Sequence, residues 1–405
     1  MKLFIDNFRV WWHKPADPTQ RNIHREISML ELFYDLVYVA MIIQLTHLVA
    51  GHVTLSSVET YLLVFLMMIW AWFNGSLYHE LHGNLDLKTR VVVFLQMLCL
   101  VGMGIFIHNA FGEGYKVFAL FYGLFSSILC ILWWRTGIHD FEQKTVIRPF
   151  VRIFILIVFS FFGSIFMPIG VAHIIWIISV SIAMIYTIIF MMSSNEKVHF
   201  EKLEATRNIG ESFVERLSLI TTIILGEGII SLVGGGSHIH HWNITQVLDI
   251  TGCFILLVLI WGLYFDFISR RLPKNSNVLK GLWLGLHFPM LASIGLINAG
   301  ILNLLESAPL FNLSDKLIIL IPLIVFLLCC LGLMGTIQID QKLYQIFQNT
   351  YKKIWLIILG LVIMAFLPLN KIIILWSSIV FLSVLFTSSL IMWIKLKLEN
   401  VDDKK

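Results

Sequence analysis

Apolar residues in this chain gather in long, nearly unbroken blocks rather than alternating or marking one face of each segment. A bilayer core needs roughly 20 apolar residues per helix. Twelve blocks reach about that length: 29–50, 58–78, 89–110, 115–135, 150–168, 171–192, 212–233, 247–268, 279–303, 316–336, 353–369 and 372–395. The fifth and eleventh are short, and each ends in a proline-containing turn, MPIG at 167–170 and LPLN at 367–370. Each is expected to form a tight helical hairpin with the next block, with a long broken helix as the alternative. The triplet Gly234-Gly235-Gly236 reads as the end of the seventh helix, followed by an outer loop containing His238, His240 and His241. The pattern predicts an all-α polytopic transmembrane bundle of about 12 helices. Its parts are an interfacial segment over 1–28, a six-helix unit over 29–192, a cytoplasmic linker over 193–211, a second unit over 212–395 and a tail over 396–405.

Composition narrows the class. Of 405 residues, 58% are hydrophobic and only 13% are Asp, Glu, Lys or Arg, about half the charged share of a soluble domain. That excludes an ordinary soluble enzyme, a disordered regulator and a nucleic-acid-binding domain. Charge placement says more than the formal net of +4. With the N-terminus in the cytoplasm, 26 of the 29 Lys and Arg fall on inner segments and only Lys116, Lys316 and Lys371 on outer loops. The positive-inside rule then predicts both termini on the cytoplasmic side, with anionic lipids beside the basic loops. The stretch WWHKPADP at 11–18 is expected to lie along the interface, and no cleavable signal is evident. The five cysteines lie in apolar blocks without CxxC spacing, and no HExxH occurs. No metal, cofactor or catalytic motif is therefore expected.

Three matched segments point to an internal duplication at a separation of about 185–190 residues. Glu31 opens ELFYDLVYVAMIIQ and Glu215 opens ERLSLITTIILGEG, 184 residues later. Trp70 and Trp261 lie 191 residues apart in related segments, as do Asn109 and Asn298 at 189. Six helices per copy is an even number, so both copies would share one orientation, related by an axis along the membrane normal.

Ionisable groups at membrane depth are costly and mark sites by default. At 100° per residue Glu31, Tyr34, Asp35 and Tyr38 occupy about 100° of arc on the first helix. Gln44 and His47 point roughly the other way, near its outer end. Two carboxylates one turn apart repel when both are ionised, so a cation sits between them or one keeps its proton. Arg216 and Glu227 on the seventh helix point in nearly the same direction but lie about 16 Å apart along it, which forbids a direct pair. Arg216 therefore needs a carboxylate at its own depth, with Glu31, Asp35 and Asp266 as candidates. Glu227 sits between Gly226 and Gly228, which permit close helix approach or local unwinding. Asn74, His108, Asn109, His287 and Asn298 are further polar groups expected at depth. Trp70, Trp72 and Trp261 weigh less, since Trp near an interface is routine.

Two blocks resemble the bacterial low temperature requirement A family. One starts at Arg25, REISMLELFYDLVYVAMIIQLTHLV, and the other at Phe213, FVERLSLITTIILGEGIISLVG. The resemblance, spread over roughly 25–395, implies family positions at Glu31, Asp35, Gln44 and His47 and at Glu215, Arg216, Gly226 and Glu227. Ser212 stands where the family usually has a His, which removes that imidazole from any proton-carrying scheme. The family name refers to growth in the cold and identifies no solute or reaction. Three functions stay open. A transporter of a small solute or ion would use Glu227 as ligand, Asp35 as inner gate and Arg216 as counter-charge. A sensor or scaffold would pair these groups and hold no polar cavity. An enzyme acting on a lipid or isoprenoid would need a lateral pocket near the inner carboxylates, yet the chain has no aspartate-rich diphosphate motif, zincin helix or serine elbow. Glu215, Asp266, Asn109 and Asn298 complete the candidate pathway, and a homo-oligomer is compatible with all three readings.

Overall fold

The computed structural model describes residues 15–17, 19, 27–50, 52–83, 86–139, 143–192, 205–206, 209–237, 239, 242–306 and 313–402. Most of the expected interfacial segment 1–28, most of the 193–211 linker, the histidines 238, 240 and 241 and the last three residues lie outside that set.

Among the described residues, 12 helices are long and apolar enough to cross a membrane. They are α1 (Met29–Val49), α2 (Leu55–His82), α3 (Leu87–Ile105), α4 (Tyr115–His139), α5 (Gln143–Ser164) and α6 (Ile169–Met192). The rest are α7 (Glu211–Ser237), α8 (Ile244–Phe267), α9 (Asn277–Glu306), α10 (Leu313–Thr336), α11 (Tyr344–Phe366) and α12 (Lys371–Asp402). Within a bilayer only a helix or a closed barrel satisfies its own backbone polar groups, which is why every apolar block is helical over most of its length. Start signals are local. Asp86 accepts from the Thr89 backbone N–H at 2.8 Å to cap α3, and Asn243 and Gln246 form a reciprocal capping box on α8. Large apolar side chains such as Phe159 and Leu356 are more than two-thirds exposed, as expected of surfaces that face lipid tails.

Four boundaries differ from the apolar pattern. The two short blocks belong to full-length helices, because the basic stretches before them are helical too: α5 starts at Gln143, with Pro149 inside it, and α11 at Tyr344. The third helix stops at Ile105, and a short 3-10 turn over Ile107–Asn109 follows. The glycine triplet does not end α7, which continues to Ser237. A Cβ on Gly235 would meet the Leu305 side chain at 3.0 Å. That glycine serves a close approach to α9 rather than a helix stop.

The chain divides into two compact units. One comprises Met1–Leu45 with Thr60–Arg216, the other Thr46–Glu59 with Leu217–Lys405, so the division falls inside α1, α2 and α7. In the first unit α4 packs against α3 and α5, and α5 against α6. Aromatic rings fill these seams. Trp133 stacks on Phe150 at 5.0 Å, and Phe161 stacks on both Tyr122 at 4.1 Å and Trp176 at 5.3 Å. In the second unit α9 packs most extensively with α10, and α8 with α12. A Cβ on Gly300 would meet Ile319 at 2.9 Å, so the α9–α10 approach depends on a missing side chain. The proline turns close hairpins, α5–α6 in the first unit and α11–α12 in the second. The α8–α9 and α10–α11 connections are tied together by backbone bonds, Lys274 N–H to Thr336 O at 2.8 Å and Gln338 N–H to Leu272 O at 2.9 Å.

Candidate functional site

In the first unit three elements supply one buried charge cluster. The first two turns of α1 place Glu31 and Asp35 on the same side of the helix, one turn apart. Ser28 caps that helix. Its N–H and Oγ each donate to Glu31 Oε2 at 2.9 Å, and its Oγ accepts from the Glu31 N–H at 3.3 Å. This reciprocal box fixes the Glu31 carboxyl and leaves Oε1 to face Arg216 Nη1 at 3.5 Å. Arg216, in the second turn of α7, donates from Nη2 to Asp35 Oδ1 at 2.7 Å. Trp72 Nε1 on α2 donates to the same oxygen at 2.7 Å, and the Trp72 ring lies 5.8 Å from the guanidinium carbon. Arg216 and Asp35 are both 0% exposed.

The cation between the two carboxylates is therefore Arg216, and Asp35 is its closer partner. Asp266 is not: in the second unit it accepts from Ser389 Oγ and from Trp393 Nε1 at 3.2 Å. Trp72, given little weight on interfacial grounds, is a direct partner of Asp35. Two carboxylates face one guanidinium, so the triad keeps a formal excess of one negative charge when both are ionised. Asp35 Oδ2 and Arg216 Nε are buried and make no hydrogen bond among the described residues. Buried polar groups without partners are uncommon enough to require a reason.

Around the triad, Tyr34 and Tyr38 bond to each other through their hydroxyls at 3.1 Å. The Tyr34 hydroxyl lies over Gly75, closer than any Cβ there would permit. Ser212 donates to Glu80 Oε1 at 2.7 Å, and both are buried. Glu80 escaped notice because it lies past the apolar block of the second segment, while the helix itself continues to His82. Ser212 thus ties the start of α7 to α2.

In the second unit Glu227 is 1% exposed and bonded on both oxygens. Ser231 Oγ, one turn further along α7, donates to Oε1 at 2.6 Å. Asn298 Nδ2 on α9 donates to Oε2 at 2.6 Å and to the Ile224 carbonyl at 2.6 Å. Gly228 makes this possible: a Cβ there would sit 2.5 Å from Asn298 Oδ1, whereas one on Gly226 would meet nothing within 4 Å. Of the two glycines flanking Glu227, one is thus needed for close approach. Asn298 Oδ1 is buried without a hydrogen bond.

The remaining candidates sit apart from both clusters. Asn109 and His108 are exposed in the 3-10 turn beyond α3, not at depth as expected, because the helix ends four residues before Asn109. His108 Nε2 bonds the exposed Gln44 Oε1 at 2.7 Å. His47 and Glu215 are exposed. His287 is buried and uses Nδ1 on the Trp283 carbonyl at 2.7 Å. The second unit also holds an ion pair absent from the sequence reading, Lys371 Nζ to Asp249 Oδ2 at 3.0 Å. Among the described residues no group of three or more His, Cys, Asp and Glu is placed to hold a metal ion, and the five cysteines are unpaired.

Comparison with known proteins agrees with the two sequence blocks. The family model described as bacterial low temperature requirement A protein (LtrA) matches residues 26–392. An uncharacterized protein of Rhizobium meliloti (strain 1021) is 25% identical over 259 residues, 62% of each chain, so the match spans about three-fifths of that relative. No solved structure matches. With twelve apolar helices, buried intramembrane carboxylates and a family match over nearly the whole length, the chain is a multi-pass helical membrane protein that belongs to the bacterial low temperature requirement A family.

Proposed function

We propose that this protein moves a small solute or ion across the bacterial cytoplasmic membrane, using the Asp35–Arg216 cluster and Glu227 as polar stations. The observation that carries this reading is the incomplete use of hydrogen-bonding capacity at both stations. Asp35 Oδ2 and Arg216 Nε in one unit, and Asn298 Oδ1 in the other, are buried without partners. A purely structural ion pair gains from having every donor and acceptor used. Groups that exchange partners during a cycle keep some in reserve. Asp35, Glu31 and Arg216 form the station nearer the inner face, with Glu215 next to Arg216 on α7, and Asp266 is read as a further member of the pathway. Glu227 and Asn298 form the deeper one, and Gln44, His47 and Asn109 lie toward the outer end. Residues 29–192 and 212–395 are read as copies of one six-helix ancestor in parallel orientation, with both termini cytoplasmic.

The second reading is a membrane sensor or scaffold without turnover. It is favoured by the pairing and near-complete burial of Asp35, Arg216 and Glu227. Flux decides between the two. Purified protein in proteoliposomes loaded with a pH-reporting dye is tested for proton movement. The same vesicles are then tested for any solute that raises its thermal midpoint in a screen. Transport predicts flux above empty vesicles that falls at least tenfold in Glu227→Gln and in Asp35→Asn. Full-rate flux in both variants would remove these carboxylates from the path. No flux of protons or of any stabilising solute would leave the scaffold reading.

A further inference from the structure

A pocket of about 310 Å3 lies where α4 ends and α5 begins, away from both carboxylate clusters. Its lining is amphipathic in a definite order. Lys144, Arg148 and Arg152 recur every fourth residue along α5, with Ile147 and Val151 between them, while α4 contributes Trp134, Gly137 and Ile138. At 100° per residue, Lys144, Arg148, Val151, Arg152 and Ile155 share about 100° of arc, so the cations run directly into the apolar surface of the helix. Trp134 and Ile138 are each 57% exposed and form the other wall.

The depth of the cations is what calls for a ligand. The apolar span of this helix begins at Val146, so Arg148 and Arg152 lie inside it. Arg152 is six residues in, about 9 Å along the helix. Both arginines are exposed, and neither has an ion pair among the described residues. An arginine on the lipid-facing surface of a span needs an anion or a route to water. Gly137 leaves the room. A Cβ there would stand 3.8 Å from Ile147 Cγ2 and from Lys144 Cα, so any longer side chain would enter the pocket.

We infer that this pocket is a binding site for the phosphate headgroup of an anionic phospholipid. Arg148 and Arg152 hold the phosphate through charge-assisted bonds, Lys144 stands at the rim, and Trp134, Ile138 and Val151 contact the glycerol and the first acyl carbons. The apolar wall selects the lipid over free phosphate, since inorganic phosphate offers nothing to it. This site is independent of the transport reading.

The test uses the full-length protein purified in mild detergent. Phosphatidylglycerol binding is followed by native mass spectrometry and by thermal shift, with phosphatidylcholine and millimolar inorganic phosphate as competitors. Phosphatidylglycerol should bind at least tenfold more tightly than phosphatidylcholine and resist displacement by phosphate. Arg148→Gln combined with Arg152→Gln should weaken it at least tenfold. Gly137→Leu, which fills the pocket and leaves every charge in place, should do the same. Arg90→Gln combined with Lys352→Gln removes equal charge elsewhere and should leave binding unchanged. Equal losses in this control would mean diffuse charge attraction and overturn the site. Displacement by inorganic phosphate would overturn the lipid as occupant. Should the arginine variant fail to fold, wild-type protein with a photoactivatable phosphatidylglycerol decides: the label should map to 134–152, and labelling spread evenly over the helices would refute the assignment.

Discussion

Arg216 has no water to fall back on, so the two carboxylates beside it are the reason it stays folded inside the bundle. Removing one partner of a buried pair costs about 3–5 kcal/mol, because the remaining charge is stranded. Arg216→Met should therefore lower stability on that order, read as a fall in thermal midpoint in detergent. The two carboxylates are not equivalent. Asp35 bonds Nη2 at 2.7 Å, while Glu31 stands 3.5 Å from Nη1 and is engaged by the Ser28 cap. A double-mutant cycle should give an Asp35–Arg216 coupling on the order of 2–3 kcal/mol and an Glu31–Arg216 coupling below about 1 kcal/mol. Equal couplings would place Glu31 as a full partner. Arg216→Lys should not restore stability, since an ammonium cannot lie against the Trp72 ring while reaching both carboxylates.

At the scale of a helix, the two glycines around Glu227 make a controlled comparison. Both sit in α7, and alanine at either gains about 1 kcal/mol of helix propensity. At Gly226 nothing opposes that gain, whereas at Gly228 the new methyl would collide with Asn298 Oδ1 and Leu257. Gly226→Ala should be neutral or mildly stabilising. Gly228→Ala should cost about 1–3 kcal/mol, the range for overpacking a tight contact. Thermal unfolding of the two variants side by side checks both. Helices themselves are the legible part of this sequence. An apolar run of bilayer length has one backbone solution, so all twelve elements follow from hydropathy alone. What hydropathy cannot reach is contact across elements. Glycine reads as a stop in α7 because the same residue serves a helix end in water and a close approach in lipid. Asp35 and Arg216 were nameable as partners because both are charged and scarce. Asn298 with Glu227, and Ser212 with Glu80, were not, since a neutral side chain at depth does not announce which helix it faces.

For the whole molecule, the asymmetry of lysine and arginine predicts which ends of the helices share a compartment. Glu113, in the connection after α3, and Gln345, at the start of α11, are both exposed and belong to opposite sides in the proposed topology. Single cysteines at these positions give the check in intact cells. Glu113→Cys should react with a membrane-impermeant maleimide from outside, and Gln345→Cys only after permeabilisation. The reverse pattern would invert the topology. The five native cysteines are buried or half-buried in apolar helices, so they should contribute little background.

The backbone clasp between the α8–α9 and α10–α11 connections bears on how the chain is made. Leu272 and Lys274 are synthesised more than 60 residues before their partners Thr336 and Gln338. The clasp can close only after α9 has crossed the membrane and α10 has returned, which brings the two connections to the same face. Closure of the clasp therefore marks the moment when α8, α9 and α10 have been correctly threaded. A chain misinserted by a single span would leave it open.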